Sequence, residues 1–322
     1  MSSLYTKIIG TGSYLPKQII TNEELAKKVD TSHEWIVERS GICQRHIANE
    51  EETTSMMATE AAKRAIESSG IDPKDIDLIL VATTTPDMVL PTTANLVQNN
   101  LGLYGIPAFD FGAACAGFIY GLNIADQFIR TGTYRTILLI GVESMSSIID
   151  WSDRSTCVLF GDGAGAVILR TSDTPGIIAT HIHADGRYKD TLYVPTGLPN
   201  RAKAGMLPYV HMEGKEVFKF AVKVLGEVVE QILAANQMTH HDIDWLIPHQ
   251  ANLRIIKATA KKLNLPMEKV ILTVQDHGNT SAASIILALD KGIKAGQIIP
   301  GQCLLLEAVG AGFVWGASLI RL

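Results

Sequence analysis

One unit of this chain is written twice. The segment Ala-Ile-Glu-Ser-Ser-Gly-Ile-Asp-Pro-Lys-Asp-Ile-Asp-Leu-Ile from Ala65 aligns with Gln-Ile-Leu-Ala-Ala-Asn-Gln-Met-Thr-His-His-Asp-Ile-Asp-Trp-Leu-Ile from Gln231, with a one-residue gap. The offset that carries Ile66 onto Ile232 also carries Gly112 onto Gly278 and Thr136–Glu143 onto Gln302–Val309, and it lengthens by one residue at Asp75 and Asp242. An offset that persists across separate elements describes two copies of one βα unit. Both copies have apolar strands of the parallel-sheet kind, joined by crossover helices. Such a chain is expected to be an α/β protein of two duplicated halves, 1–171 and 172–322, whose sheets pack around shared central helices. The seam falls between Thr171 and Gly176.

The sharpest local signal is Phe109–Gly117, Phe-Asp-Phe-Gly-Ala-Ala-Cys-Ala-Gly. Pro107–Phe111 reads as a strand, and from Ala116 the residues Phe118, Leu122, Ala125 and Ile129 recur at helical spacing until Gly132. Cys115 therefore sits at a strand-to-helix elbow, where free helical N–H groups are expected to make its thiol ionise more easily. A lone cysteine between alanines also reads as a small buried hydrophobe. The second copy decides between the two. It sets the turn Asn279–Ser281 opposite Cys115, before a helix expected over 282–293, and it ends the strand Trp245–Ile247 in Pro248-His249-Gln250-Ala251-Asn252. Alone, Asn279 is a helix cap and His249 a satisfied loop residue. Cys, His and Asn at three strand-to-helix junctions of matching halves together point to a nucleophile, a base and an amide donor.

Around these lies a supporting pattern. Lys7–Ser13 reads as a strand; two short helices follow, each with a capping box, Thr21 with Glu24 and Thr31 with Glu34. The second sets Trp35 and Arg39 four residues apart on one face. A helix over Thr53–Ser69, with Met57, Ala61, Ala65 and Ile66 on one side, leads to a strand at Leu78–Thr83. Two stretches, about Ser13–Glu52 and Ala184–Gly214, read as irregular and thus as binding loops or lids. The helix from Asn252 to Asn264 sets Arg254, Lys257, Lys261 and Lys262 beside an apolar stripe of Leu253, Ile256, Ala260 and Leu263. Its place just after His249 points to docking of an acidic partner.

Other classes are disfavoured. A net charge of -5 and a pI near 6.0 argue against nucleic acid as a partner. The longest uncharged apolar run, Phe111–Ala125, is too short to cross a bilayer, and Met1–Lys7 has no apolar signal region, so the expectation is a soluble cytoplasmic protein. Cys43, Cys115, Cys157 and Cys303 lack Cys-x-x-Cys spacing. Gly161–Gly165 resembles a dinucleotide loop but runs into a strand-like segment rather than a helix. His181 and His183 alternate on a strand with no third ligand, so no metal is expected.

The elbow Ala-Ala-Cys-Ala-Gly, the segment Pro-His-Gln-Ala-Asn-Leu-Arg and the turn Gly-Asn-Thr-Ser-Ala-Ala-Ser closely resemble the β-ketoacyl-acyl carrier protein synthase III family, condensing enzymes that start bacterial fatty-acid synthesis. The resemblance runs through to Val309-Gly-Ala-Gly-Phe-Val-Trp-Gly316. It implies a thiolase-like, five-layered αβαβα fold, a homodimer, and a catalytic set of Cys115, His249 and Asn279. It further implies an oxyanion site at the backbone N–H groups of Cys115 and Ala311. Trp35 and Arg154 would sandwich the adenine of coenzyme A, with Thr31, Arg39 and Asn252 along the pantetheine path. Lys219, Arg254, Lys261 and Lys262 would meet the carrier protein, and Leu90, Phe160 and Val309 would bound the acyl pocket, Leu90 from a loop that reaches into the partner subunit. The implied substrates are a short acyl-CoA, acetyl-CoA foremost, and malonyl-acyl carrier protein, with no metal or resident cofactor. The chain departs from the family in having Gly310-Ala311-Gly312 for three glycines, Val309 for a Phe, and Lys215 for a small polar residue. The competing readings are a condensing enzyme of secondary metabolism with another starter or acceptor, and a non-catalytic acyl-CoA or carrier-protein binding module.

Overall fold

The computed structural model describes residues 4–195 and 208–322. The chain runs through β1 (Tyr5–Tyr14), β2 (Gln18–Thr21), α1 (Asn22–Ala26), α2 (His33–Ser40), β3 (Gln44–Ile47), α3 (Thr54–Ser69), β4 (Leu78–Ala82), α4 (Thr93–Leu101), β5 (Ala108–Phe111), α5 (Gly117–Arg130), β6 (Thr136–Glu143) and β7 (Gly163–Ser172). It continues through β8 (Ile177–Ala184), β9 (Leu192–Tyr193), β10 (His211–Met212), α6 (Gly214–Ala235), β11 (Trp245–Pro248), α7 (Leu253–Lys262), α8 (Val274–His277), α9 (Ser284–Lys294), β12 (Cys303–Gly310) and β13 (Val314–Arg321).

Two sheets carry the duplication. The first has the order β1-β7-β6-β4-β5, and the second β8-β13-β12-β11. In both, a parallel pair (β4 with β6, β11 with β12) is flanked by an antiparallel return strand. The strand bounds Thr136–Glu143 and Cys303–Gly310 match at the longer of the two offsets found in the sequence. The fifth strand of the second sheet is reduced to a single bridge, Leu246 to Val270.

Burial explains why the strands have no polar side. Along β4, Leu78 and Leu80 join a central core with Phe118 and Leu122 of α5 and Ile285 and Ile286 of α9. Ile79 and Val81 face the other way, onto Met57, Ala61 and Ala65 of α3. In β12, Leu304 and Leu306 enter the same central core while Cys303 and Leu305 pack with Val229, Ile232 and Leu233 of α6. The layers are therefore α3 and α4, the first sheet, α5 and α9, the second sheet, and α6 with α7. This is the five-layered αβαβα arrangement of a thiolase-like fold. Each fully buried Leu or Ile in the central layer contributes about 1.5–3 kcal/mol.

Three local expectations are corrected. The N-cap of α2 is Ser32, whose Oγ accepts the Trp35 N–H at 3.1 Å, and not Thr31; the Thr31 hydroxyl is buried without a partner. The capping box at Thr21 and Glu24 does form. Ser13–Glu52 is not irregular: it holds α1, α2 and the antiparallel pair β2 and β3. The stretch 184–214 holds the two-residue pair β9 and β10, and its part at 196–207 lies outside the described residues.

Candidate active site

Cys115 is reached by a tight bend. β5 ends at Phe111, a 3-10 turn covers Ala114–Ala116, and α5 starts at Gly117. Ala114 sits in the left-handed region, with φ 43°. The matching residue of the other half, Ser281, has φ 49° and opens the corresponding 3-10 turn, Ser281–Ala283, before α9. Both halves thus hold a strained non-glycine residue at the same junction, where strain of about 1–3 kcal/mol has to be offset by surrounding contacts. One such contact is the close approach of β12. A Cβ on Gly310 would lie 2.7 Å from the Cys115 backbone nitrogen, so only glycine fits there.

The thiol corrects the expectation of easy ionisation. Desolvation at the half-buried elbow pushes Cys115 up to about 11; the neighbouring Ser281 hydroxyl and its own backbone N–H favour the thiolate, and the neighbouring Glu143 opposes it. Burial outweighs the helix terminus here. A proton acceptor is therefore needed when the sulfur attacks.

His249 extends the β11–β12 ladder by one bond, donating its N–H to the Glu307 carbonyl at 2.8 Å, which sets the imidazole at the C-terminal end of a parallel strand. Its Nδ1 lies 2.6 Å from Ser284 Oγ, which also accepts the Gln250 N–H at 3.3 Å. A hydroxyl has one hydrogen. Among the described residues that hydrogen has no acceptor other than Nδ1, so the hydroxyl donates there, which leaves the ring proton on Nε2. Burial pushes His249 down to about 3, so the ring is neutral and presents an N–H.

Asn279 is not a helix cap. Its Oδ1 accepts the Ser281 N–H at 2.8 Å, closing a local turn that leaves the Nδ2 group as a donor. The backbone of the first half fixes it: Asn279 N–H donates to the Leu159 carbonyl at 2.8 Å, and its carbonyl accepts the Gly161 N–H at 3.1 Å.

Cys115, His249 and Asn279 line one cavity of about 470 Å³, whose wall also includes Phe160, Val309 and Ala311. A second cavity of about 570 Å³ is lined by Trp35, Arg39, Arg154, Lys215, Lys219 and Arg254. Leu159, Gly214, Phe218 and Asn252 line both, so the two adjoin as an inner apolar chamber and an outer basic mouth. At the mouth, the Arg39 and Arg154 guanidinium carbons stand 4.6 and 5.3 Å from the Trp35 ring centroid. Arg154 also pairs with Asp30 at 3.0 Å. Asn252 caps α7 and donates to the Arg39 carbonyl at 2.9 Å.

Other expected site residues lie outside these walls. Thr31 lines neither cavity. Lys261 is exposed on α7, and Lys262 lies across α6, its Nζ 3.3 Å from the Lys223 carbonyl. Leu90 is 78% exposed and does not line the chamber of its own chain. Sequence reading missed Ser281, Ser284 and Glu143. The first two stand in the Gly-Asn-Thr-Ser-Ala-Ala-Ser motif, where their spacing from Asn279 was the available signal. Among the described residues no cluster of side chains is suited to hold a metal ion.

A five-layered duplicated fold with a cysteine at the elbow of one half, and His and Asn brought in by the other, defines a thiolase-fold condensing enzyme. The sequence pattern of 3-oxoacyl-[acyl-carrier-protein] synthase III matches residues 109–186, and that of its C-terminal part residues 233–322. Proteins named beta-ketoacyl-[acyl-carrier-protein] synthase III are 53% identical in Xanthomonas campestris pv. campestris, over 99% of this chain and 98% of that one, and 56% identical in Coxiella burnetii, over 99% of both. The crystal structure of 3-oxoacyl-[acyl-carrier-protein] synthase III from Aquifex aeolicus is 48% identical, with a TM-score of 0.93 over 98% of this chain and 100% of that one. The priming β-ketosynthase of the R1128 polyketide pathway is 35% identical, with a TM-score of 0.95 over 100% and 97%. The chain belongs to the β-ketoacyl-acyl carrier protein synthase III family, and it is an acyl-transferring condensing enzyme.

Proposed function

We propose that this chain transfers a short acyl group, acetyl foremost, from coenzyme A to Cys115 and condenses it with malonyl-acyl carrier protein to start fatty-acid synthesis in the cytoplasm. The observation that carries this reading is the common cavity of Cys115, His249 and Asn279 behind a basic mouth. The thiol attacks the thioester carbonyl, and the oxyanion is held by the backbone N–H groups of Cys115 and Ala311. The malonyl thioester then takes the place of coenzyme A. His249 Nε2–H and Asn279 Nδ2 donate to its carbonyl oxygen, so that the enolate left by loss of carbon dioxide is stabilised before it attacks the acyl-enzyme. A neutral imidazole suits this role, because it donates without adding a charge to the chamber. Coenzyme A is a substrate in this scheme, and neither a metal nor a resident cofactor takes part.

The mouth supports the binding roles. Trp35 offers a flat face beside Arg154 for the adenine, and Arg39 and Asn252 follow towards the thiol, whereas Thr31 lines neither cavity and gains no such support. Lys219, Arg254, Lys261 and Lys262 give α6 and α7 a basic surface on a chain of net charge -5, which suits an acidic carrier protein. Phe160 and Val309 bound the acyl end.

The test is incubation with labelled acetyl-CoA and malonyl-acyl carrier protein. A Cys115 acyl adduct and a β-ketoacyl product are expected, and both are lost in Cys115→Ala. Absence of product with any short starter, or full activity of the variant, would overturn the reading.

A homodimer is part of the proposal. β5 forms an edge of the first sheet, and Met88, Val89 and Leu90 in the loop after β4, Tyr104 ahead of β5 and Phe109 within it are all exposed. An apolar edge of this kind calls for a cover, and a second copy would bring its Leu90 to the acyl chamber.

A further inference from the structure

Glu143 ends β6 wholly buried, and the reaction proposed above does not use it. Its carboxylate accepts the Thr84 N–H at 3.1 Å, the Thr84 hydroxyl at 3.0 Å, the Thr85 hydroxyl at 2.6 Å and the Ser281 hydroxyl at 3.2 Å. Ser281 shares the chamber wall with Cys115, on the turn packed against the cysteine's elbow. The left-handed φ of Ser281 and the Asn279 bond to its N–H hold that hydroxyl between sulfur and carboxylate.

The thiol proton needs a destination, and His249 offers none. Its Nδ1 receives the Ser284 hydrogen and its Nε2 already carries one. The geometry points to Glu143 as the acceptor of the Cys115 proton, through the Ser281 hydroxyl, during acyl transfer, and as its holder until condensation is complete. This rests on the acyl-transfer reading of the site.

The step balances. As the sulfur–carbon bond to the acyl group forms, the Cys115 proton passes to Ser281 Oγ and the Ser281 hydrogen to Glu143 Oε1. The carbon–sulfur bond to coenzyme A breaks, and its thiolate takes a proton from water. In the second half, the malonyl carbon loses carbon dioxide and bonds to the acyl carbon. The Cys115 thiolate then leaves and recovers its proton from Ser281, while Glu143 returns the other. One proton is taken from water per turnover, and nothing is oxidised or reduced.

Burial lifts Glu143 to about 7, within working range, while Cys115 stands higher, so the transfer proceeds together with carbon–sulfur bond formation. The other titratable groups on the chamber wall are His249 and Tyr193. Asp162, beside the β7 strand partner of Glu143, is turned to Ser146 and Ala48.

Single-turnover acylation with acetyl-CoA from pH 5.5 to 9, read as coenzyme A release and as the mass of the Cys115 adduct, tests this. The wild type is expected to speed up through a limb near pH 7, where Glu143 loses its proton; His249, held near 3, is neutral throughout. E143Q should acylate about 100-fold more slowly at neutral pH and lack that limb. S281A should behave alike, the double variant should lose nothing further, and E143D should restore part of the limb. A limb kept in E143Q, with the rate unchanged or lowered by one factor at every pH, would overturn the inference. Should E143Q fail to fold, S281A carries the same test. A wild type that forms no adduct would overturn the acyl-transfer reading itself.

Discussion

Ser284 decides what His249 is able to do. Its hydroxyl fixes the tautomer that turns an N–H towards the chamber. Ser284→Ala removes that donor and frees the ring to carry its proton on Nδ1. A lost buried hydrogen bond costs about 1–3 kcal/mol, so condensation with malonyl-acyl carrier protein should slow by roughly 10- to 100-fold. Acylation of Cys115 should keep its rate, because His249 does not take that proton. Rapid-quench measurement of the two half-reactions checks this: equal losses in both would mean that Ser284 only supports packing. Cys115 and His249 were legible because each stands at a strand-to-helix junction; Asn279 was legible from the repeat alone, since it follows the short helix α8 and not a strand. The high proton affinity of Cys115 was not, because burial arises from β12 and the second half closing over the elbow, contacts far away along the chain. The displaced cap from Thr31 to Ser32 is a one-residue error of a familiar kind, since neighbouring hydroxyls compete for the same N–H.

At the scale of elements, the two elbows and the β12 end form one object. The left-handed Ala114 and Ser281 keep their conformation because the turns touch one another and Gly310 lets β12 lie against the Cys115 nitrogen. Gly310→Ala would put a methyl carbon 2.7 Å from that nitrogen and 3.1 Å from the Ala116 nitrogen. Backbone cannot rotate away as a side chain does. We expect a stability loss of about 1–3 kcal/mol by denaturant unfolding, with a greater than proportional loss of Cys115 acylation because the elbow itself moves. Ala311→Gly, which restores the family's three glycines, is the contrast: Ala311 does not occupy the left-handed region, so its methyl group imposes no strain and both quantities should stay near those of the wild type. Residue patterns foretold the helices and strands around these turns within a residue or two. They did not foretell β2, β3, β9 and β10, because two- to four-residue strands have too little periodicity to read and exist only through their partners.

At the scale of the whole molecule, the repeat predicted the layers, since two βα copies with apolar strands have to cover both faces of both sheets. It could not predict where the copies differ. In the second sheet the position equivalent to β5 is a single bridge at Val270, while in the first sheet β5 is a full strand with one edge open. Phe109, on that edge, is 36% exposed, and the loop after β4 presents Val89 and Leu90 at 78% each. If a second copy covers this edge, Phe109→Asp places a charge where apolar surface would be buried. Sedimentation at micromolar concentration should then show a monomer for the variant and a dimer for the wild type. The same variant should also change starter-length preference in an acyl-CoA series, because the acyl chamber would lose Leu90 of the partner subunit. A wild type that sediments as a monomer would end the dimer proposal. A variant that remains dimeric would move the interface off β5, and with it the reason for an exposed leucine to influence chain length.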